Sequence, residues 1–174
     1  MAMFYLIRHG EPDWALNEKH KLKGHGRDLP SLTENGIKQA KEIAKDSRLK
    51  KAEIIISSPY TRAMQTAAII SKEIGVDLTV EFDLREWQPD LNFEIASLDD
   101  LKNAVDEYNL YDGIYPEGKE RMWELKETMR NRMENVLEKY SKCSCVIVVA
   151  HEQIIKTQVS NVDIPHCSIH EVFR

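Results

Sequence analysis

Two histidines and two arginines lie where the predicted strands end, and together these side chains could bind and transfer a phosphoryl group. Arg8 and His9 close an apolar run at the start of the chain, and His151 follows a second run at residues 145–150. Arg62 falls in the turn after a third run. Because the carboxyl ends of parallel strands meet at one edge of a sheet, we expect these four side chains to converge.

The position of Arg62 indicates that the ligand is negatively charged. It lies in the first turn of a predicted helix that follows Ser58 and Pro59. A helix N-terminus already carries positive partial charge, so a cation there is unfavourable unless an anion binds nearby. Free backbone N–H groups and guanidinium groups both suit phosphate. The arrangement therefore predicts a phosphate site.

A histidine in such a site could act as a nucleophile. Neutral imidazole can attack phosphorus in line and form a phosphohistidine, which water then hydrolyses. Arginines and a second histidine would stabilise the charge on the transferred oxygens. The leaving alcohol needs a proton, which a nearby carboxylic acid would supply. The residue pattern does not select this acid among the many in the chain.

The elements that must position these residues alternate between strands and helices. The predicted strands cover residues 3–8, 53–57, 78–82, 145–150 and 168–173. The predicted helices cover residues 31–47, 59–75, 98–108, 122–140 and 154–159. Strands that are apolar on both sides and separated by helices are typical of a parallel sheet covered on both faces. We expect a three-layer α/β/α sandwich with a mostly parallel central sheet.

Composition narrows the class of protein. The chain has 174 residues, so we expect a single domain over residues 1–174, with 42% hydrophobic and 30% charged residues. A formal net charge of −5 argues against a nucleic-acid partner. The sequence contains no apolar run of transmembrane length and no signal-peptide pattern. Three cysteines do not form a disulfide framework, so a cytoplasmic protein is expected, with its oligomeric state left open.

Five segments resemble the blocks of the histidine phosphatase superfamily, also called phosphoglycerate mutase-like. The segment Leu6–Glu11 resembles its R-H-G-E signature, and Ser57–Ala67 resembles its S-S-P-x-x-R-A-x-Q-T-A block. Leu32–Ala40 is similar to the L-T-x-x-G-x-x-Q-A helix start. Leu84–Glu86 resembles the segment that supplies the acid, and Val148–His151 matches the final block. The blocks occur in the family's order and span nearly the whole chain.

The resemblance implies roles for individual residues. His9 would be the phosphorylated nucleophile, and Glu86 would donate the proton to the leaving group. Arg8, Arg62 and His151 would bind the phosphoryl group. The chemistry of the family uses no metal and no organic cofactor. The resemblance thus implies the same phosphate site and adds Glu86 as its acid.

The chain departs from the family pattern near the site. Glu152 stands where the family has glycine, and its carboxylate would repel phosphate unless it turns away or pairs with a cation. Ala15 follows Trp14 where many members have asparagine, which makes Asn17 a candidate replacement for binding substrate. Ser58, in the second block, is a further candidate for binding substrate.

The function expected from these residues is hydrolysis of a small phosphorylated metabolite. A phosphoglycerate-type mutase is an alternative, although the mutase segment after the acid is replaced here by residues 85–90. A non-catalytic sensor of phosphorylated ligands is favoured by Glu152 and Ala15. A metallohydrolase using His9 and His151 is disfavoured, since no short ligand spacing is present and arginines would repel a cation.

Two segments bear on the substrate. The loop at residues 19–27 carries four cations and no acid, so it is either a flap that binds an anion or a solvated loop. Residues 83–118 are expected to form a helical insertion over the site. Within residues 83–112, nine acids against two bases give −7, which with four aromatic residues suggests a small substrate. The alternative, which the pattern favours, is that these aromatic residues form core beneath the insertion: Trp87, Phe93, Tyr108 and Tyr111.

Overall fold

A five-stranded sheet lies at the centre of the protein, and four of its strands run parallel. The computed structural model describes residues 1–160 and 162–174. The strands are β1 (Met3–Arg8), β2 (Ile54–Ser57), β3 (Leu78–Val80), β4 (Cys145–Ala150) and β5 (Ile169–Phe173). Their order across the sheet is β3-β2-β4-β1-β5, with β5 antiparallel to β1 at one edge. The prediction of a mostly parallel central sheet is confirmed.

Helices cover both faces of this sheet. The α-helices are α1 (Ala15–His20), α2 (Glu34–Ile43), α3 (Thr61–Ile74), α4 (Leu98–Leu110), α5 (Lys126–Lys139) and α6 (Glu152–Lys156). Short 3₁₀-helices cover Gly24–Asp28, Ser47–Lys51 and Phe82–Leu84. Buried residues of α3 pack in the core on one face, and those of α5 and α6 pack in the core on the other. The expected three-layer sandwich is therefore confirmed.

The apolar run of β1 supplies both cores. Phe4 and Leu6 lie in the core that α5 covers, whereas Tyr5 and Ile7 lie in the core that α3 covers. Successive side chains of a strand point to opposite faces, so a strand buried on both sides must be apolar throughout. This is why the strand could be predicted from an unbroken apolar run.

The predicted start of α2 was wrong in its cap. The helix was predicted to begin at residue 31, where Ser31 and Glu34 have the spacing of a capping box, but it begins at Glu34. Thr33 caps it, because its Oγ1 accepts a hydrogen bond from the backbone N–H of Gly36 at 2.9 Å. A bridge between Pro12 and Leu32 holds the preceding residues extended. The predicted end of α3 was right, since Gly75 ends it in the left-handed conformation at φ 71°.

The long helix predicted over residues 122–140 begins later, at Lys126. The backbone N–H of Leu91 donates to the carbonyl of Met122, and the N–H of Glu124 donates to the carbonyl of Gln88. These bonds hold residues 122–124 beside residues 88–91 instead of in a helix. Tertiary pairing therefore overrides the apolar period that included Met122.

The sheet order brings the predicted site residues to one edge. β4 lies between β1 and β2, so the carboxyl ends of these three strands are adjacent. His9 follows β1, Ser58 follows β2 and His151 follows β4. Among the described residues, no helix combines the length and the apolar character needed to cross a bilayer.

Candidate active site

His9 lies at the centre of the site, and its hydrogen bonds define its tautomer. The side chain is 4% exposed, and its Nδ1 lies 2.7 Å from the carbonyl oxygen of Gly10. A carbonyl only accepts, so Nδ1 carries the proton. Nε2 accepts a hydrogen bond from Nε–H of Arg62 at 3.3 Å. The lone pair of Nε2 therefore faces the guanidinium, where a bound anion would lie.

The surroundings of His9 keep its ring neutral. Burial lowers the pKa of His9 well below its usual 6.5, and the positive charge of Arg62 lowers it further. Protonation would remove the Nε2 lone pair. A depressed pKa therefore keeps the nucleophilic form populated through neutral and mildly acidic pH.

Arg62 is held from several sides in the first turn of α3. Its Nη1 donates to Oδ1 of Asp28 at 3.1 Å, and its guanidinium carbon lies 5.0 Å from the ring centre of Trp14 and 5.2 Å from that of Tyr60. Burial raises the pKa of the Asp28 carboxyl, and this outweighs the lowering by Arg62. These contacts hold the guanidinium group of Arg62 beside His9, so that Arg62 is preorganised to bind phosphate.

His151 packs against His9 as the sheet order requires. The ring centres of His9 and His151 lie 5.0 Å apart. Nε2 of His151 lies 2.7 Å from Oγ of Ser58, while its buried Nδ1 has no partner among the described residues. Burial lowers the pKa of His151 well below 6.5. Ser58 thus lies in the site and contacts His151, and so positions the second histidine.

Glu86 lies at the wall of a cavity that Arg62 also lines. Its Oε1 accepts a hydrogen bond from the backbone N–H of Trp87 at 2.8 Å, and its Oε2 accepts one from Gln153 at 3.3 Å. Burial raises the pKa of Glu86 despite these bonds, which favour the charged form. A carboxyl with a raised pKa keeps a larger protonated fraction near neutral pH, as a proton donor requires.

Glu152 pairs with cations instead of facing a phosphate site unopposed. Its Oε2 lies 2.9 Å from Nη1 of Arg8, and its Oε1 contacts Lys156. Arg8 Nη1 also donates to the carbonyl of Ile164 at 2.6 Å, and the buried Nε of Arg8 has no partner among the described residues. Of the two arrangements considered from the sequence, pairing with a cation is the one observed. Arg8, one of the two arginines predicted to bind phosphate, therefore forms an ion pair with Glu152 within the protein.

We expect Glu152→Gln to strengthen the binding of inorganic phosphate by about two- to fivefold, because a partly exposed ion pair would no longer compete for Arg8. Isothermal titration with phosphate measures this without any turnover. Glu42→Gln on α2 removes the same charge from the Lys45 pair and is the control for net charge. Unchanged or weaker phosphate binding by Glu152→Gln alone would contradict the prediction.

The remaining candidate, Asn17, is buried at the edge of the site. Its Nδ2 donates to the carbonyl of Arg27 at 3.3 Å, and its buried Oδ1 has no partner among the described residues. Asn17 also lines the cavity.

Sequence reasoning missed His166, whose ring centre lies 5.5 Å from that of His9. It missed Asp28 as well, and the signal that could have found both is their place in loops that return to the strand ends.

A cavity of about 480 Å³ extends from Arg62 and Glu86 beneath α4. Among the four aromatic residues of the acidic segment, Trp87, Phe93 and Tyr108 line it. Trp87 and Tyr108 also belong to the core, with ring centres 4.6 Å apart, so these two residues both pack in the core and line the cavity. From the cationic loop at residues 19–27, Gly24 and Arg27 line this cavity. The lysines of the loop are exposed to solvent: Lys19, Lys21 and Lys23.

Comparison with known proteins gives one consistent result. Residues 4–167 match the family model of the histidine phosphatase superfamily (branch 1). The "Probable phosphoglycerate mutase GpmB" of Proteus mirabilis is 34% identical over 157 residues, which cover 88% of this chain and 67% of that protein. The chain spans about two thirds of the length of the curated relatives it matches.

Solved structures share the fold. Bacillus stearothermophilus YhfR superposes with a TM-score of 0.71 at 20% identity, over 98% of this chain and 90% of that one. Phosphoserine phosphatase of Entamoeba histolytica, solved in complex with 3-phosphoglyceric acid, superposes with a TM-score of 0.68 at 23% identity, again over 98% and 90%.

Proposed function

The chain belongs to the histidine phosphatase superfamily, and from this premise we propose that it hydrolyses small phosphomonoesters without a metal ion, through a phosphohistidine on His9. The observation that carries this proposal is the state of His9. Its Nδ1 is bonded to the Gly10 carbonyl, and its unprotonated Nε2 lies 3.3 Å from Nε of Arg62. A neutral nucleophile beside a buried guanidinium is the arrangement that phosphoryl transfer needs.

In the first step, Nε2 of His9 attacks the phosphorus and the bond from phosphorus to the ester oxygen breaks. Glu86 transfers its proton to that oxygen, so the alcohol leaves neutral. Arg62 stabilises the negative charge on the phosphoryl oxygens, together with Arg8 and His151. The Gly10 carbonyl stabilises the positive charge that develops on the imidazole ring.

In the second step, water attacks the phosphorus of the phosphohistidine. The Glu86 carboxylate, left ionised by the first step, takes a proton from this water, and the N–P bond breaks. Inorganic phosphate is released, with neutral His9 and protonated Glu86 restored. One carboxyl group thus acts as acid and then as base, which its raised pKa supports.

A phosphomutase is the second candidate, favoured by the names of the curated relatives. A mutase returns the phosphoryl group to another hydroxyl of the substrate instead of passing it to water. The two reactions share the first step and differ in the acceptor. They are separated by the product: inorganic phosphate from a phosphatase, and the isomeric phosphate ester from a mutase.

We expect the protein to hydrolyse p-nitrophenyl phosphate with EDTA present. Release of nitrophenol is measured by absorbance, and release of phosphate is measured by ³¹P NMR, with 3-phosphoglycerate as a second substrate. Loss of activity in EDTA would contradict a metal-free mechanism. Formation of 2-phosphoglycerate without net release of phosphate would identify the mutase instead.

A further inference from the structure

We propose that the cavity beneath α4 binds an apolar leaving group, so that the preferred substrates are monophosphates of alkyl or aryl alcohols. This inference rests on the proposed function and names its substrate class. The cavity begins at Arg62 and Glu86. An ester oxygen protonated by Glu86 would therefore direct its organic group into the cavity.

The walls of the cavity are largely apolar. Leu101 and Val105 lie one turn apart on α4, half-buried, and both line the cavity. Residues of the preceding loop, of the core and of α4 itself complete this wall: Trp87, Pro89, Phe93, Ile95, Leu98 and Tyr108. A volume of about 480 Å³ is in the range of small-molecule sites, and the removal of an alkyl or aryl group from water would favour binding.

The cations of the cavity are already engaged. Arg62 contacts His9 and Asp28. Arg27 lies 3.9 Å from a carboxylate oxygen of Glu18 and donates to the carbonyl of Ala96 at 3.5 Å. Among the described lining residues, no other cation is present. A second anionic group on the substrate, such as a carboxylate, would therefore lose water and would have to share Arg27 with Glu18 and the carbonyl of Ala96.

The acid groups of the cavity strengthen this selection. Asp90 is buried, and its carboxylate accepts hydrogen bonds from the backbone N–H groups of Asn92 and Ile95, both at 2.8 Å. This carboxylate therefore holds its own loop and does not balance a ligand cation. Together with Asp28 it makes the cavity unfavourable for a second negative charge, beyond the phosphoryl group that Arg62 receives.

A series of n-alkylphosphonates tests the cavity without any turnover. Isothermal titration should show affinity rising about two- to fourfold per methylene from ethyl to hexyl, the gain expected for burial of each group. 3-Phosphonopropionate, which adds a carboxylate, should bind no tighter than ethylphosphonate. Affinity that stays flat or falls with chain length would overturn the proposal, as would tighter binding of 3-phosphonopropionate than of hexylphosphonate.

Variants on one helix provide the matched control. Leu101→Asn should remove most of the chain-length dependence. Val105→Thr, which keeps the shape and replaces one methyl group with a hydroxyl, should reduce it. Leu110→Asn lies at the exposed end of the same helix and should leave it unchanged. Equal slopes in all the proteins would overturn the assignment of the cavity, with folding checked by thermal melting.

Hydrolysis of the corresponding alkyl phosphates separates this inference from the proposed function. If binding rises with chain length and none of the phosphates is hydrolysed, the cavity assignment holds for ligand binding and the catalytic proposal fails. If the phosphates are hydrolysed with equal kcat/KM from ethyl to hexyl, catalysis holds and the inference about the leaving group is overturned.

Discussion

His9→Ala should lower kcat for p-nitrophenyl phosphate by about 10⁴-fold or more, the loss typical of removing a covalent nucleophile. The variant lacks Nε2, so no covalent phosphoenzyme can form and hydrolysis would depend on the remaining charges. The fold should survive, because His9 follows β1 and is not among the apolar residues of either core. Steady-state rates and thermal melting measure the two effects separately.

His20→Ala is the matched control, since His20 is exposed at the end of α1 and should be silent. Rapid quench of the parent protein with a ³²P-labelled substrate should trap a phosphoenzyme that is labile in acid and stable in base. The same experiment on His9→Ala should give none. A phosphoenzyme of unchanged amount in His9→Ala, or full activity in that variant, would refute the mechanism.

Much of the fold could be predicted because local patterns dictate it. The run Cys145–Ala150 is buried throughout and forms the central strand β4, as an unbroken apolar run indicates. Gly75 ends α3 for a local reason as well, since a left-handed residue there favours glycine. His9, Ser58 and His151 converge because each follows one of three adjacent strands.

The parts of the fold and of the site that could not be predicted depend on contacts between residues that are distant in the sequence. Asp28 reaches Arg62 across 34 positions of sequence, and Arg8 contacts Ile164 across 156. The periodic spacing of apolar residues carries no information about contacts between residues so far apart in the sequence. The late start of α5 has the same origin, since residues 122–124 bond to the backbone of residues 88–91. The roles of the individual site residues stay predictions for experiment.

Glu86→Gln should lower kcat/KM for alkyl phosphates far more than kcat/KM for p-nitrophenyl phosphate. This quantity reports the first step alone, and not the later attack of water, in which Glu86 acts as base for both substrates. An alkoxide is a poor leaving group and needs the proton, so its hydrolysis should fall by about 10²–10⁴-fold, the range for general acid catalysis. Nitrophenolate leaves without protonation, so phosphorylation of His9 by that ester should be much less affected. Glu94→Gln removes an exposed acid from the same segment and should change neither rate.

The pH profile gives a second test of Glu86 with a defined sign. Burial raises its pKa, and a bound phosphoryl anion raises it further, so the active protonated form is lost as pH rises through that value. The pKa of His9 is lowered, so the nucleophile stays neutral and active on the acid side. Alkyl phosphate hydrolysis in the parent should therefore fall on the alkaline side. Glu86→Gln should lose that fall, because its amide does not titrate, while substrate ionisation affects both proteins equally.

An alkaline fall that persists unchanged in Glu86→Gln, with an equal loss of activity on both classes of substrate, would show that another group supplies the proton. The acid would then have to be sought among the remaining carboxyl groups of the cavity, Asp28 first, because burial raises its pKa and it contacts Arg62 directly.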